Sequence, residues 1–301
     1  MLDAFLTNCR LADGRVVDIG IADGKIAIVG QGAAPASSNS APALDIGGDL
    51  VLPGLVDGHM HLDKTLTGLP WMGHAAGPTR MSRIETDKTI LPHLPLSTEE
   101  RAGNLIRECV ARGTCHLRTH VDIDLESGLA KLEGVLAARE RYCNRATVQI
   151  VAFPQSGVMR CPGVLDLLDA AVRNGADLVG GIDPLEIDRD PKGQLDGIFA
   201  IAARHGVGLD IHLHEPGEMG LFNVQEICAR TKALGLGGLG RFPLCDPAEA
   251  KAMADRHFAG ETDRLGAGTD LLDIEKAHLA RLVQMNVEPN AVPRGDREDT
   301  V

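Results

Sequence analysis

His59 and His61 stand two residues apart in LPGLVDGHMHLDKT (52–65), behind an apolar run from Leu50 to Val56 broken only by Pro53 and Gly54. In an extended segment, positions i and i+2 project to one face, so both imidazoles can reach one ion, with Asp63 and Lys64 just behind them. Neutral imidazole is a common metal ligand. Further polar groups recur where later strands are expected to end: His120 and Asp122 in LRTHVDID, Gln155 in QIVAFPQ, Asp183 in DLVGGIDP, and His212, His214 and Glu215 in DIHLHE. Each alone has an ordinary reading, a hydrogen-bonded core histidine or a helix-capping aspartate. Five strand ends carrying such groups together point to one site.

The elements that must position these groups follow from periodicity. Residues 4–30 alternate short β-prone runs with the dipeptides Asp13-Gly14 and Asp23-Gly24, which are hairpin signals, so a small antiparallel sheet is expected. Residues 33–43, AAPASSNSAPA, read as a linker or loop. From residue 97 the pattern becomes helix, strand, helix, strand. Ser97 with Glu100 makes a capping box, and Ala102, Leu105, Ile106, Cys109 and Val110 follow at helical spacing. Strands are expected at 116–124, 147–155, 177–184 and 208–215, with helices carrying Leu129 to Leu136, Val164 to Val172 and Leu195 to Ala202 between them. A repeat of about 30 residues is the length of one βα unit and predicts a (β/α) barrel, whose chemistry sits at the carboxyl ends of its strands.

A chain of 301 residues with 44% apolar content is long enough for one large α/β domain or for one domain plus a small appendage. The net charge of −12 and 3% aromatic content argue against a nucleic-acid surface and favour a small neutral or cationic substrate. Seven scattered cysteines, never spaced Cys-x-x-Cys, read as reduced thiols of a cytoplasmic protein. The N-terminal residues do not have the pattern of a signal peptide, and no apolar run approaches a membrane span. The expected division is a small β-sheet at 1–48, a barrel at 49–285 that is incomplete in its C-terminal part, and a tail at 286–301.

The segments LPGLVDGHMHLDKTLTG, LRTHVDID, QIVAFPQSG, DLVGGIDP and DIHLHEPGEMG, in that order and spacing, resemble the amidohydrolase superfamily, and within it the cytosine deaminase-like group. The resemblance covers about residues 1–235. It implies a metal-dependent hydrolase-type (β/α)8 TIM barrel beside a small N-terminal β-sandwich portion. It further implies one divalent ion, zinc or iron, held by His59, His61 and His212, with Glu215 as proton shuttle and Gln155 reading the polar edge of a nitrogen heterocycle. His120, Asp122, Asp183 and His214 are expected to line the substrate. Without a lysine at the end of strand four, a single-metal site is the expectation. The implied reaction is hydrolysis of a C–N bond in an aminopyrimidine or aminotriazine by metal-activated water.

The last fifth of the chain departs from that pattern. Residues 235–240 are Gly-rich where a sixth strand is due, and no histidine precedes His257 to supply the family's fourth histidine. LGAGTD (265–270) resembles the family's last strand, which makes Asp270 a candidate ligand and proton acceptor; its ordinary reading is a helix cap. Too few residues follow for three more βα units, so exposed edges and a homo-oligomer are expected. The alternative function is an incomplete paralogue or fragment that binds a ligand or partner without turnover. A phosphate-binding barrel lacks its Gly-rich turn before a late helix.

Overall fold

The structure, a computed structural model, describes residues 2–32, 42–73 and 76–235. These fall into two compact units, one ending at Gly54 and one starting at Leu55. In the first, β1 (Ala4–Arg10), β2 (Val16–Ala22), β3 (Lys25–Gly30) and β4 (Ala43–Asp45) form a sheet of order β3-β2-β1-β4. Both Asp-Gly dipeptides turn hairpins. Asp23 and Gly24 take consecutive positive φ values of 52° and 67°, the pattern a two-residue turn between right-twisted strands demands. Leu6, Cys9, Val17 and Ile19 are buried together in its core. One expectation is corrected: β4 pairs with β1 in parallel, so the sheet is mixed, and Ala43 belongs to this strand rather than to the linker.

The second unit runs β5 (Leu55–Met60), α1 (Arg80–Ile90), α2 (Thr98–Ala111), β6 (Thr114–Asp122), α3 (Ala130–Arg141), β7 (Thr147–Phe153), α4 (Val164–Arg173), β8 (Leu178–Ile182), α5 (Pro191–His205), β9 (Gly208–His212) and α6 (Gly217–Ala233). Its five strands pair in parallel in chain order, the arrangement of an incomplete (β/α) barrel. Among the described residues β5 and β9 are its edges. The expected sixth strand near residue 238, Asp270 and the tail lie outside the described residues.

Local chemistry explains the elements. The capping box closes as read: the Glu100 amide donates to Ser97 Oγ at 3.2 Å, and Glu100 Oε2 accepts from the Ser97 amide at 2.8 Å. Helix α5 starts on an Asp190 cap with Pro191 in its first turn and stops at Gly206, whose φ of 66° suits glycine. Apolar helix faces meet the sheet in one core that includes Ile106, Leu132, Val135, Ile150, Leu168 and Ile198, all fully buried. The periodicity did not reveal α1, because Ile84 is its only buried hydrophobic residue and the helix otherwise shows no apolar stripe.

Tight spacing within the sheet falls on Gly180 in β8. A Cβ there would stand 2.8 Å from the Ala152 carbonyl oxygen and 3.1 Å from the Phe153 Cα, both backbone atoms of β7 that cannot swing aside. Gly180→Ala is therefore expected to cost about 1–3 kcal/mol through overpacking. Urea unfolding checks this against Gly30→Ala, whose Cβ would meet nothing within 4 Å.

Candidate metal centre

The two ends of the parallel sheet meet at a cluster of histidines. His59 Nε2 on β5 lies 3.1 Å from His212 Nε2 on β9. Four strand spacings of about 4.8 Å would hold those strands about 19 Å apart on a flat sheet, beyond the reach of two imidazoles. The sheet must therefore curl, and the curl is what assembles the site. His59 also sits where the β5–β6 register shifts between Asp57 and Met60, an irregularity of the kind that re-aims side chains.

The rings of His59, His61, His120 and His212 gather there, with centroids 4.6–5.7 Å apart in the pairs in contact. Metal-capable atoms of His59, His61 and His120 lie within 4.8 Å of one another, as do those of His120, Asp210 and His212. Nitrogens 2.0–2.1 Å from one tetrahedral ion stand roughly 3.3 Å apart, close to the separation of His59 and His212. The His61 Nδ1–H donates to the His120 carbonyl at 3.0 Å, which fixes the tautomer and leaves Nε2 free as a ligand atom.

The chemistry of these donors fits a divalent cation. His120 Nε2 lies 3.1 Å from Asp210 Oδ1, while Nδ1 of His120 and Nδ1 of His212 are buried without a hydrogen-bond partner. Burial pushes the His61 imidazole down to about 2, with Lys64 adding to the effect, and that of His212 to about 3, with the neighbouring imidazole of His120 adding to it. Burial and His120 also lower His59. The rings are therefore neutral at ordinary pH, with lone pairs available. Burial alone would raise the Asp210 carboxyl, but His120, Arg118 and His212 hold it at about 2, so it is anionic beneath the rings.

The other expected site residues fall into separate groups. Lys64 Nζ donates to both Asp122 oxygens at 3.0 Å and to Gln155 Oε1 at 3.1 Å, joining two residues read as substrate contacts through a third that had no assigned role. Asp183, fully buried at the end of β8, accepts from the His214 amide at 2.6 Å and pairs with His214 Nδ1 at 2.8 Å. Glu215 is buried, and its carboxylate accepts from the amides of Leu185 and Glu186 and from the Asn223 side chain. Burial raises its carboxyl, and the charge of Asp183 raises it further. His120, read as a substrate contact, is 1% exposed and belongs to the imidazole cluster.

Asp210 and Arg118 escaped the sequence reading. Arg118 Nη1 donates to Asp210 Oδ2 at 2.9 Å, and Arg118 Nε donates to Gln149 Oε1. Their signal was present in the alternation Arg118-x-His120 and Asp210-x-His212, which puts each on the same strand face as a histidine.

The amidohydrolase family pattern matches residues 43–263. The N-isopropylammelide isopropyl amidohydrolase of Pseudomonas sp. is 32% identical over 247 residues, covering 78% of this chain and 59% of the relative. Among solved structures, the N-isopropylammelide isopropylaminohydrolase of Burkholderia multivorans is 41% identical with a TM-score of 0.73, over 78% of this chain and 59% of that one. The 5-methylcytosine deaminase of Klebsiella pneumoniae is 28% identical with a TM-score of 0.62, over 78% and 56%. The chain thus spans a little over half the length of these relatives. No helix of the described residues is long and apolar enough to cross a membrane.

Acid stability of the metal-free protein follows from the lowered imidazoles. An unfolded histidine titrates near 6.5, so between that pH and the folded values of about 2 and 3 the unfolded chain binds protons that the folded chain refuses. Stability must then fall as pH drops below about 6.5, by up to about 1.4 kcal/mol per pH unit for each ring. His212→Asn is expected to remove one ring's share of that slope, read from urea midpoints between pH 7 and pH 4.

Proposed function

The chain belongs to the amidohydrolase family, and from that premise we propose that it hydrolyses a carbon–nitrogen bond of a small nitrogen heterocycle, an aminopyrimidine or aminotriazine. The observation that carries the reading is the approach of His59 and His212, 153 positions apart in the chain, to 3.1 Å. In this reading His59, His61 and His212 hold one divalent ion, zinc or iron, to which their nitrogen donors suit equally. Such an ion supplies a water whose pKa falls from 15.7 to about 7, available as a nucleophile at neutral pH. Asp270, outside the described residues, is a further ligand and proton acceptor on sequence resemblance alone.

The chain's own residues do the rest. Water adds to the ring carbon bearing the amine, and the C–N bond breaks as the nitrogen leaves protonated. Glu215, with its raised carboxyl, carries the proton from the water to that nitrogen. Lys64 occupies Gln155 Oε1 and so leaves the amide NH2 of Gln155 to face the heterocycle. Asp122 keeps Lys64 in place, and Asp183 holds His214 at the rim. Protein as purified is expected to contain close to one zinc or iron per chain and to release ammonia or an amine from a panel of aminopyrimidines and aminotriazines. Glu215→Gln should lower that rate by about 10²–10⁴-fold while leaving metal content unchanged.

A second reading has one observation in its favour. The Glu215 carboxylate is engaged by three donors, an arrangement that anchors the loop after β8 and needs no proton traffic. A chain that binds metal and heterocycle without releasing amine would establish this binding-only role instead.

A further inference from the structure

Arg101 is a charged side chain that the proposed chemistry does not use, yet it is only 3% exposed, near the start of α2. Burial lowers its basicity, and a buried cation of this kind is costly unless its donors are met. A guanidinium carries five N–H donors in a planar fork. Among the described residues its acceptors are main-chain carbonyls: Nε donates to Thr65 at 2.8 Å, Nη2 to Asp63 at 2.8 Å and Nη1 to Leu96 at 2.6 Å. Two of these carbonyls stand on either side of Lys64. Strand β6 holds the same segment, since the Leu62 amide donates to Thr119 Oγ1 at 2.9 Å and the Asp122 amide donates to Asp63 Oδ2 at 3.0 Å.

Lys64 ends in an ammonium with three donors and no acceptor. Its Nζ meets both Asp122 oxygens at 3.0 Å and Gln155 Oε1 at 3.1 Å, so each proton has an acceptor. Because Nζ can only donate, the Gln155 amide must turn its oxygen to Lys64 and its NH2 elsewhere. The four-carbon lysine stem is flexible, and Asp122 fixes its tip alone. The main chain at its base has to be fixed separately, and the arginine fork does that.

We propose that Arg101 is a positioning residue of the heterocycle pocket: by clamping the carbonyls that flank Lys64 it fixes where Lys64 stands and, through Lys64, which end of the Gln155 amide meets the substrate. This rests on the reading of Gln155 as a substrate contact and adds to it a residue from the helix layer. For stability alone, an apolar side chain would serve at that position without the cost of burying a charge.

Reductive methylation of the purified full chain, resolved lysine by lysine in a mass spectrometer, follows Lys64 without requiring turnover. Lys64 and Lys131 have side chains 13% and 15% exposed, each ion-paired, so both react slowly in the parent protein. Arg101→Gln should speed Lys64 by about tenfold as local opening of its segment becomes easier, while Lys131 stays slow. On the panel of aminopyrimidines and aminotriazines, Arg101→Gln should lower kcat/KM by about 10–100-fold, the scale of a small misplacement relayed to a site, and should cost nothing further in a Lys64→Met background. Equal losses in both backgrounds, full activity in Lys64→Met, or Lys64 and Lys131 becoming reactive together each overturn the proposal. Arg101→Lys keeps the charge without the fork and carries the same comparison where the glutamine variant does not fold. A chain that folds with neither assigns Arg101 to stability alone and overturns the proposal too. A parent protein without turnover on the panel strikes the proposed function instead, and the methylation rates still decide the role of Arg101.

Discussion

Two imidazole nitrogens held 3.1 Å apart must share something between them, either the N–H proton of one neutral ring or a cation in its place. That constraint governs the second unit of this protein. His59 and His212 are placed on the first and last strands of the described sheet, so their approach is possible only if the sheet curls. Burial then depresses the basicity of His61 and His212, which keeps these rings neutral at ordinary pH. Neutral imidazoles are also the form that binds a divalent cation, so the same pair suits either occupant.

The scaffold maintains this crowding with charges arranged in tiers along the strands. Arg118 and Asp210 face one another from β6 and β9, strands that are not neighbours, one step down from His120 and His212. A second tier, Lys64 with Asp122 and Gln155, ties the segment after β5 to the ends of β6 and β7. Arg101 of α2 fastens the same segment from outside, donating to the carbonyls of Asp63, Thr65 and Leu96. Each tier satisfies charges that the low-dielectric interior would otherwise penalise, and each fixes the direction of a group above it.

Much of this was legible in the chain. The Asp-Gly turns, the Ser97–Glu100 box and the βα spacing are local signals whose physics acts within a few residues, and all appear where the periodicity put them. The strand-end rule and the family resemblance pointed to His59, His61 and His212, but the residue whose metal-capable atoms lie within 4.8 Å of those of both His59 and His61 is His120. The supporting charges did not show, because Arg118 and Asp210 look like ordinary surface residues until the curl turns their strand face inward. Lys64 followed a metal-binding motif closely enough to be noticed, yet its acceptors lie 58 and 91 positions away. Helix α1 lacked the apolar stripe that a periodicity reading requires.

The pairing of His59 with His212 spans 153 positions and joins the two free margins of the described sheet. An ion seated between them, as proposed above, would be a rivet as well as a reagent. It would close a very long chain loop, the kind of cross-link that removes the most disorder from an unfolded ensemble. It would also fasten together margins that lack a hydrogen-bonded neighbour among the described residues. On that proposal, chelation would loosen the architecture at the same moment that it disarmed the chemistry.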